Sequence, residues 1–419
     1  MSAATRASML APFGVRSFRF QWPADLATSW ALEMEMLILG WYVLVETRSV
    51  LMLTIFASLQ YVGTLLAPMF GVMGDRIGHR NVLCAMRGLY AVLASLLMTL
   101  AFMDAVTPLL VLAISAVLGL VRPSDIGMRT ALVGETMPPA QLMGAMSIQR
   151  TTQDSARIAG ALSGAGLVAA LGMGPAYAVV VSFYVTSVLL TLKAGSAHAA
   201  PAAAAAARPP RVSPWRELRE GFSYVWHAPQ LRATMLFSFL LNLTAFPLFN
   251  GLMPYVAKSV YGADQTTLGT MVAAAATGSL TGSIIMSRYG GLFPPARAML
   301  GFGVAWLAAL LAFVYTRNPA AGIPVLIFAG CMQTMGLIPI NTLLLRTSDV
   351  RYRGRIMGIR MLAIYGNLPG LLLAGPLIAG FGYSAMATGY CLFGMLCMVL
   401  IALYWRSHLW HSGAEANRR

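Results

Sequence analysis

The stretch that decides the fold is Gly71-Val72-Met73-Gly74-Asp75-Arg76-Ile77-Gly78-His79-Arg80-Asn81. It lies between two long apolar runs, 50–70 and 82–102, and this position predicts a short turn at a membrane surface. Glycines in such a turn let two helices approach closely, its arginines hold it on the cytoplasmic side, and its acid can cap a helix or pair across the bundle. The residues expected to form a cytoplasmic gate are Gly71, Asp75, Arg76, Gly78 and Arg80. The alternative is a loop whose arginines only set the topology.

The composition indicates whether the chain folds in water or in a membrane. Hydrophobic residues make up 58% of it and charged residues only 10%, whereas about a quarter of a soluble domain is charged. The mean hydropathy is +0.71. A water-soluble domain of this length could not bury so much apolar surface, so the sequence predicts an all-α polytopic membrane protein.

Apolar runs of about twenty residues, the length that spans a bilayer as a helix, recur along the whole chain. They predict twelve transmembrane helices, at 22–45, 50–73, 82–103, 107–128, 143–171, 174–193, 231–256, 266–287, 298–316, 321–345, 355–381 and 384–405.

The positions of arginine and lysine predict the orientation. With the N-terminus inside, nearly all of them fall on the cytoplasmic side, and the opposite side has only Arg48, Lys258 and Arg317. We therefore expect both termini in the cytoplasm, with the first apolar run retained as an anchor rather than cleaved as a signal peptide. This asymmetry accounts for the net charge of +15, so no nucleic-acid partner is expected.

The chain is expected to divide in the middle. An Ala/Pro-rich stretch, 195–214, reads as a linker, and the amphipathic segment 214–226 that follows predicts a helix lying in the membrane interface. A shift of about 210 residues superimposes Arg150 on Arg360 and Gly160 on Gly370, as in transporters with parallel repeats. The predicted parts are an N-terminal six-helix bundle (1–194), a cytoplasmic linker with the interfacial helix (195–230), a C-terminal six-helix bundle (231–406) and a cytoplasmic tail (407–419).

The Gly-x-x-x-Asp-Arg-x-Gly-x-Arg pattern of residues 71–80 resembles the loop 2–3 signature of the major facilitator superfamily. Further stretches are similar to its enterobactin-exporter-like branch: Gly40-Trp41-Tyr42-Val43, Gly127-Met128-Arg129-Thr130-Ala131-Leu132-Val133, Pro138-Pro139-Ala140-Gln141-Leu142, Arg157-Ile158-Ala159-Gly160, Leu218-Arg219-Glu220-Gly221 and Arg353-Gly354-Arg355-Ile356-Met357. The resemblance implies the major facilitator fold and a proton-driven exporter of siderophores or drugs in the bacterial inner membrane. In one departure, Ala161 follows Gly160 where the branch often has proline.

Ionisable groups inside the membrane are the functional candidates, because no nucleotide-binding Gly-x-x-x-x-Gly-Lys-Ser/Thr motif is present and each such group is costly unless paired or hydrated. The first apolar run contains Asp25, Glu33 and Glu35. We expect Glu33 or Glu35 to carry a transported proton, and Asp25 to be solvated near the cytoplasmic boundary. Alternatively, these acids pair with arginines and serve only assembly.

The fourth and fifth apolar runs contain charges at the spacing of helical neighbours. Arg122 and Asp125 lie three residues apart, with Arg129 one further turn on. Asp154 lies three residues before Arg157, with Arg150 one turn earlier. The simpler interpretation of Asp154 with Arg157 is structural pairing. The functional alternative is that Arg122 or Arg157 exchanges partners between an acid of the first run and the substrate.

In the second half the cavity is expected to be apolar and hydrogen-bonding. The candidate residues there are Asn242, Phe246, Asn250, Gln333, Asn341, Tyr365 and Asn367. Each of them could instead serve helix packing.

Three classes of function remain open: an exporter of a small amphipathic molecule, a lipid or lysophospholipid flippase, and a non-transporting membrane sensor. We predict no enzymatic activity, cofactor or metal, because the sequence has no nucleophile–base or metal-ligand arrangement and its four cysteines fall in apolar runs. The expected partners are a small-molecule substrate, protons and the lipid bilayer, with the protein as a monomer.

Overall fold

The computed structural model of the chain describes residues 11–195, 214–347, 356, 359–360 and 362–407, and within these ranges every regular element is a helix. The α-helices are α1 (Arg16–Thr47), α2 (Val50–Leu59), α3 (Ala67–Ile77), α4 (His79–Phe102), α5 (Pro108–Thr136), α6 (Pro139–Leu171), α7 (Met173–Lys193), α8 (Pro214–His227), α9 (Pro229–Phe246), α10 (Gln265–Tyr289), α11 (Pro295–Val314), α12 (Pro319–Thr347), α13 (Asn367–Phe381) and α14 (Tyr383–Tyr404). Beyond α9 the chain continues through π-helical segments at Pro247–Gly251 and Val256–Val260.

Ten helices in the described ranges are long and apolar enough to cross a membrane, and they confirm a multi-pass membrane protein. Each of the ten falls on one of the twelve predicted spans, although only Ile364–Phe381 of the span 355–381 is among them. The other two predicted spans lie in α6 and in the broken region of α2 and α3.

The predicted span 50–73 is not one continuous helix, which corrects the sequence prediction. Helix α2 ends at Leu59, a 3-10 turn covers Val62–Leu66, and α3 begins at Ala67. The break lies where the chain passes α5 closely, because a Cβ on Gly63 would come within 2.1 Å of the Leu120 carbonyl oxygen. Only glycine allows such an approach, and a uniform apolar run gives no sign of it.

The signature stretch is also more helical than predicted. Residues 71–77 belong to α3, and the reversal is confined to Gly78, whose φ of +90° is a conformation that favours glycine. Helix α4 begins at the next residue, His79. The backbone of Asp75 lies in α3, and its side chain lies outside the described part of the chain.

The chain divides into two compact units, Met1–Leu39 with Val62–Pro209 and Gly40–Tyr61 with Pro210–Arg419. In the second unit, close backbone contacts join α10 and α12: a Cβ on Gly278 would lie 1.9 Å from the Ile327 carbonyl oxygen, and one on Gly330 would lie 2.1 Å from that of Ala275. Small residues at crossing points of this kind are typical of membrane helices.

The central segment is described only in part. Most of the predicted linker, residues 196–213, lies outside the described ranges, as does the tail from residue 408. The helix expected after the linker is present as α8. Its placement in the membrane interface and the boundaries of the predicted bundles stay predictions.

Candidate functional site

Asp25 is the centre of a buried polar network in the first unit. Its residue is only 3% exposed, so the expectation that it is solvated is wrong. The Asp25 carboxylate accepts hydrogen bonds from Nη2 of Arg87 on α4 and from Nε2 of Gln149 on α6, the latter at 3.0 Å. Arg129 of α5 places its Nε 3.8 Å from the same carboxylate. Four helices therefore meet at this one acid.

Each of the two arginines of the network makes a further polar contact besides the one to Asp25. Arg87 also donates to Oγ1 of Thr191 on α7, and Arg129 donates from Nη1 to Oγ of Ser29 at 2.7 Å. Arg129 additionally forms an ion pair with Asp125, one turn earlier on α5. The network thus contains two arginines and two aspartates, and its charges balance. Balance of this kind reduces the cost of burying each group.

On the fourth and fifth apolar runs the structure shows ion pairs at a spacing of four residues, and the predicted pairing of Asp154 with Arg157 stays a prediction. The ion pair of Asp125 is with Arg129, four residues later, and Arg122 donates from Nη2 to the Leu32 carbonyl oxygen at 2.8 Å. The ion pair formed by Asp154 is with Arg150, whose Nε lies 3.4 Å from Oδ2. Spacings of three and four residues are both compatible with contact along a helix, and the sequence alone did not discriminate between them.

The two glutamates of α1 occupy different surroundings. Glu35 is 2% exposed, and the hydroxyl of Tyr184 on α7 donates to its Oε2 at 2.9 Å. Its Oε1 is buried and accepts no hydrogen bond within the described residues. Glu33 is half-buried and faces α6, where a Cβ on Gly160 would come within 2.7 Å of the Glu33 Cβ.

A cavity of about 160 Å³ lies beside this network, between α1, α5 and α6. Its lining residues are Ser29, Leu32, Glu33, Arg122, Asp125, Ile126, Arg129 and Gln153. The volume is sufficient for several water molecules or a small polar group, but it is below the few hundred Å³ of a typical site for a drug-sized ligand. The cavity wall therefore contains Glu33, one of the predicted coupling acids, together with Arg122 and Asp125, the two charged residues predicted on the fourth apolar run.

Of the residues predicted to form a cytoplasmic gate, Arg80 contacts the end of α7, and the neighbouring His79 contacts the end of α5. Arg80 donates from Nη1 to the Ala194 carbonyl oxygen at 3.3 Å, and Arg76 is exposed. His79, which the sequence reading did not select, places Nδ1 2.7 Å from Oε1 of Glu135 and packs its ring against Gly74. The signature is thus tied to α5 by a histidine.

Polar candidates in the second unit form pairs between helices. Nδ2 of Asn367 on α13 donates to Oδ1 of Asn242 on α9 at 2.8 Å, and both residues are buried. Gln333 on α12 accepts a hydrogen bond at 3.1 Å from Ser279 on α10.

The remaining candidates of the second unit are Asn341, Phe246, Asn250 and Tyr365, and they lie in different elements of the fold. Arg360 donates to Oδ1 of Asn341, and Phe246 meets the ring of the buried Trp306 edge-on with a centroid separation of 5.1 Å. Asn250 lies in the π-helical segment after α9, and Tyr365 lies in the 3-10 turn that precedes α13.

The family of the chain follows from a comparison with protein-family models. The model described as Major Facilitator Superfamily matches residues 8–372, which is most of the chain. The chain belongs to this superfamily. It is therefore a secondary transporter rather than an enzyme, and its fold is the all-helical major facilitator fold of two six-helix bundles.

Solved structures support the same fold for this superfamily member. A variant of the nucleoside transporter NupG is 14% identical with a TM-score of 0.73, covering 93% of this chain and 99% of that one. The POT family transporter PepTSo is 13% identical with a TM-score of 0.72, covering 94% and 98%. A bacterial homologue of the human lysosomal transporter Spinster is 11% identical with a TM-score of 0.67, covering 97% of both chains. No curated protein sequence matches this chain.

Residues missed by sequence reasoning complete the site of this transporter. Arg87, Gln149 and Thr191 hold the Asp25 network, yet none of them was selected, because each comes from a different helix and only the fold brings them together. Their presence in apolar runs was the available signal, since intramembrane polar groups are rare without a function. Among the described residues, no group of three or more His, Cys, Asp or Glu side chains could hold a metal ion.

Proposed function

We propose that this transporter is a proton-coupled exporter of a small amphipathic molecule, a siderophore or a drug, which works by alternating access in the bacterial inner membrane. The observation that carries the proposal is the cavity of the first unit, lined by Glu33 and Arg122, together with the buried Glu35 on the same helix as Glu33. A proton carrier must be an ionisable group that exchanges between the two sides, and these glutamates lie within the membrane-spanning α1.

The charges around the cavity favour exchange of one proton. Asp125 and Arg129 pair with each other, which leaves Glu33 and Glu35 near Arg122. Two carboxylates beside one guanidinium carry a net negative charge, and uptake of a single proton makes the group neutral. The unsatisfied Oε1 of Glu35 adds a cost to its charged form, since a buried carboxylate needs donors on both oxygens.

Asp25 suits a different role from the two glutamates. It lies between two arginines and accepts hydrogen bonds from Arg87 and Gln149, so a proton placed on it would disrupt a balanced network. We therefore assign proton exchange to Glu33 or Glu35, and to Asp25 the role of a counter-charge.

The substrate class and the direction rest on the resemblance to the enterobactin-exporter-like branch. In the second unit, Phe246 and the polar pair Asn242–Asn367 combine an aromatic surface with amide groups, which suits a molecule with apolar and hydrogen-bonding parts. The proposed gate includes Asp75, Arg76 and Arg80, and the protein is proposed to act as a monomer with both termini in the cytoplasm.

Transport by the purified protein in proteoliposomes tests this function. Ethidium serves as the drug probe and enterobactin as the siderophore probe, each with and without an imposed pH gradient. We expect the gradient to drive at least one probe, and at least one of the variants Glu33→Gln and Glu35→Gln to lose gradient-driven transport while probe binding survives.

Glu46→Gln is the matched control, because Glu46 is an exposed acid near the end of the same helix. It should transport as the unchanged protein does. Normal gradient-driven transport by both test variants would refute the coupling role of α1. Movement of a fluorescent phospholipid, with neither probe transported, would favour a flippase instead.

A further inference from the structure

Arg232, in the first turn of α9, is held between two indole rings. Its Cζ lies 5.5 Å from the ring centroid of Trp226 at the end of α8 and 5.3 Å from that of Trp405, which follows α14. Contacts within about 6 Å of an aromatic face attract a guanidinium and fix its plane. Three helices of the second unit therefore position one cation.

Among the residues that the structure describes, this cation has no acidic counterpart. In the described part of the chain, Arg232 forms no ion pair, and its Nε is buried without a hydrogen-bond acceptor. The neighbouring Gln230 has a buried Nε2 that is equally without an acceptor. Buried donors of this kind are costly, so a missing acceptor is expected nearby.

The backbone at this place adds further donors. Helix α9 begins at Pro229 after Ala228, and no side chain caps its first turn. The N-terminus of a helix carries partial positive charge and free N–H groups, which favour a phosphate oxygen. Within the described residues, the uncapped helix start, the guanidinium without an ion pair and the amide without an acceptor therefore all favour the same type of ligand, an oxyanion.

The surroundings indicate that this oxyanion belongs to a lipid. Large aromatic side chains at this place are exposed: Trp226 is 56% exposed, and the neighbouring Phe222 and Tyr404 are 53% and 76% exposed. Phe222 stacks on Trp226 and Tyr404 contacts Trp405, with centroid separations of 6.1 and 4.6 Å. Aromatic side chains of this kind are enriched at the headgroup level of a bilayer.

We propose that Arg232, Gln230 and the start of α9 bind the phosphate of an anionic phospholipid, with Phe222, Trp226 and Tyr404 immersed in the membrane interface. An anionic rather than a zwitterionic lipid fits because the exposed Arg406, next to Trp405, adds positive charge, whereas Arg219 on α8 is offset by the adjacent Glu220. Each arginine near an anionic membrane surface contributes attraction that weakens with salt. The site anchors α8 to the bilayer and does not depend on the transported substrate.

Native mass spectrometry of the full chain in detergent tests this site. The probes are phosphatidylglycerol, phosphatidylcholine and inorganic phosphate. We expect phosphatidylglycerol to be retained in preference to phosphatidylcholine, millimolar phosphate not to displace it, and Arg232→Gln to weaken its retention about five-fold, the effect of one charge at about 1 kcal/mol. Arg288→Gln is the matched control, since Arg288 is an exposed arginine over a single aromatic ring, that of Tyr289.

Several outcomes would overturn the proposal. They are equal retention of the two lipids, displacement of the lipid by inorganic phosphate, an equal loss in Arg232→Gln and Arg288→Gln, or no loss in Arg232→Gln. If Arg232→Gln does not fold, quenching of tryptophan fluorescence in the unchanged protein by brominated lipids decides the question. Brominated phosphatidylglycerol should then quench more strongly than brominated phosphatidylcholine, and equal quenching would refute an anionic site.

Discussion

Replacement of Asp25 by asparagine isolates the electrostatic role of the buried network. The Asp25 side chain is 4% exposed and its partners Arg87 and Arg129 are 0% and 3% exposed, so all three charges lie out of water. Asparagine has nearly the same shape, and packing is retained. The substitution removes one negative charge, so that the two positive charges of Arg87 and Arg129 are balanced only by Asp125.

The magnitude follows from this uncompensated charge. Removal of one partner from a buried ion pair costs about 3–5 kcal/mol. Domains of about 150–250 residues lose roughly 2–4 °C in melting temperature per kcal/mol, and the first unit is of this size. We therefore expect Asp25→Asn to lower the melting temperature by about 6–20 °C, measured by intrinsic tryptophan fluorescence in detergent.

A second change should reverse much of this loss. Arg87→Gln combined with Asp25→Asn removes one charge of each sign and restores neutrality, and glutamine can still donate to Thr191. The double variant should melt several degrees above Asp25→Asn. Arg150→Gln is the control, because Arg150 is 64% exposed and its ion pair with Asp154 contributes at most about 1 kcal/mol. The reasoning fails if Asp25→Asn melts within a degree of the unchanged protein, or if the double variant is no more stable than the single one.

Two further substitutions test packing and capping by the same melting measurement. Gly160→Ala should cost about 1–3 kcal/mol of stability, although alanine is the better helix former, because the new Cβ would lie 2.7 Å from that of Glu33. Gly166→Ala is the control, because a Cβ at Gly166 on the same helix meets open space and should not destabilise the protein. Equal effects of the two substitutions would contradict the argument. Asp264→Ala should cost about 1 kcal/mol by removing the N-cap of α10, where Oδ1 accepts from the Thr267 backbone at 2.9 Å, while Asp264→Asn should retain most of the cap. The hydrogen bonds from Thr267 lower the pKa of Asp264. The stability that the cap contributes is therefore complete at neutral pH and is lost only as the pH falls below the ordinary aspartate value of about 3.9. A loss of stability that begins near neutral pH would refute this assignment.

The membrane-spanning architecture could be predicted from the sequence because it depends on local composition. Ten of the predicted spans coincide with helices long enough to cross a bilayer, and the pattern of residues 71–80 identified the superfamily whose model matches the chain. Hydropathy reports what faces lipid over about twenty residues. It does not report where a second helix crosses, and so the break between α2 and α3 at Gly63 was not foreseen.

The candidate site was predicted in its residue types but not in its pairing. Asp25 was placed near solvent because it lies close to the predicted cytoplasmic boundary of the first span, whereas its partners Arg87 and Gln149 lie 62 and 124 residues away in sequence. Contacts of such separation depend on helix packing, which a single sequence does not encode in any local pattern. The ion pair of Asp125 with Arg129 has the same origin, since the choice among helical neighbours depends on what the other helices present.

Arg129 links the two groups of charges in the first unit. On one side it donates to Ser29 and lies near Asp25, and on the other it forms part of the cavity wall with Glu33. In a site of low dielectric constant, a change of charge at one neighbour of a guanidinium alters its attraction to the others. Under the proposed function, protonation of Glu33 would therefore change the forces on the network that joins α1, α4, α5 and α6. It follows that Asp25, although it does not line the cavity, should influence the pH at which gradient-driven transport is half-maximal.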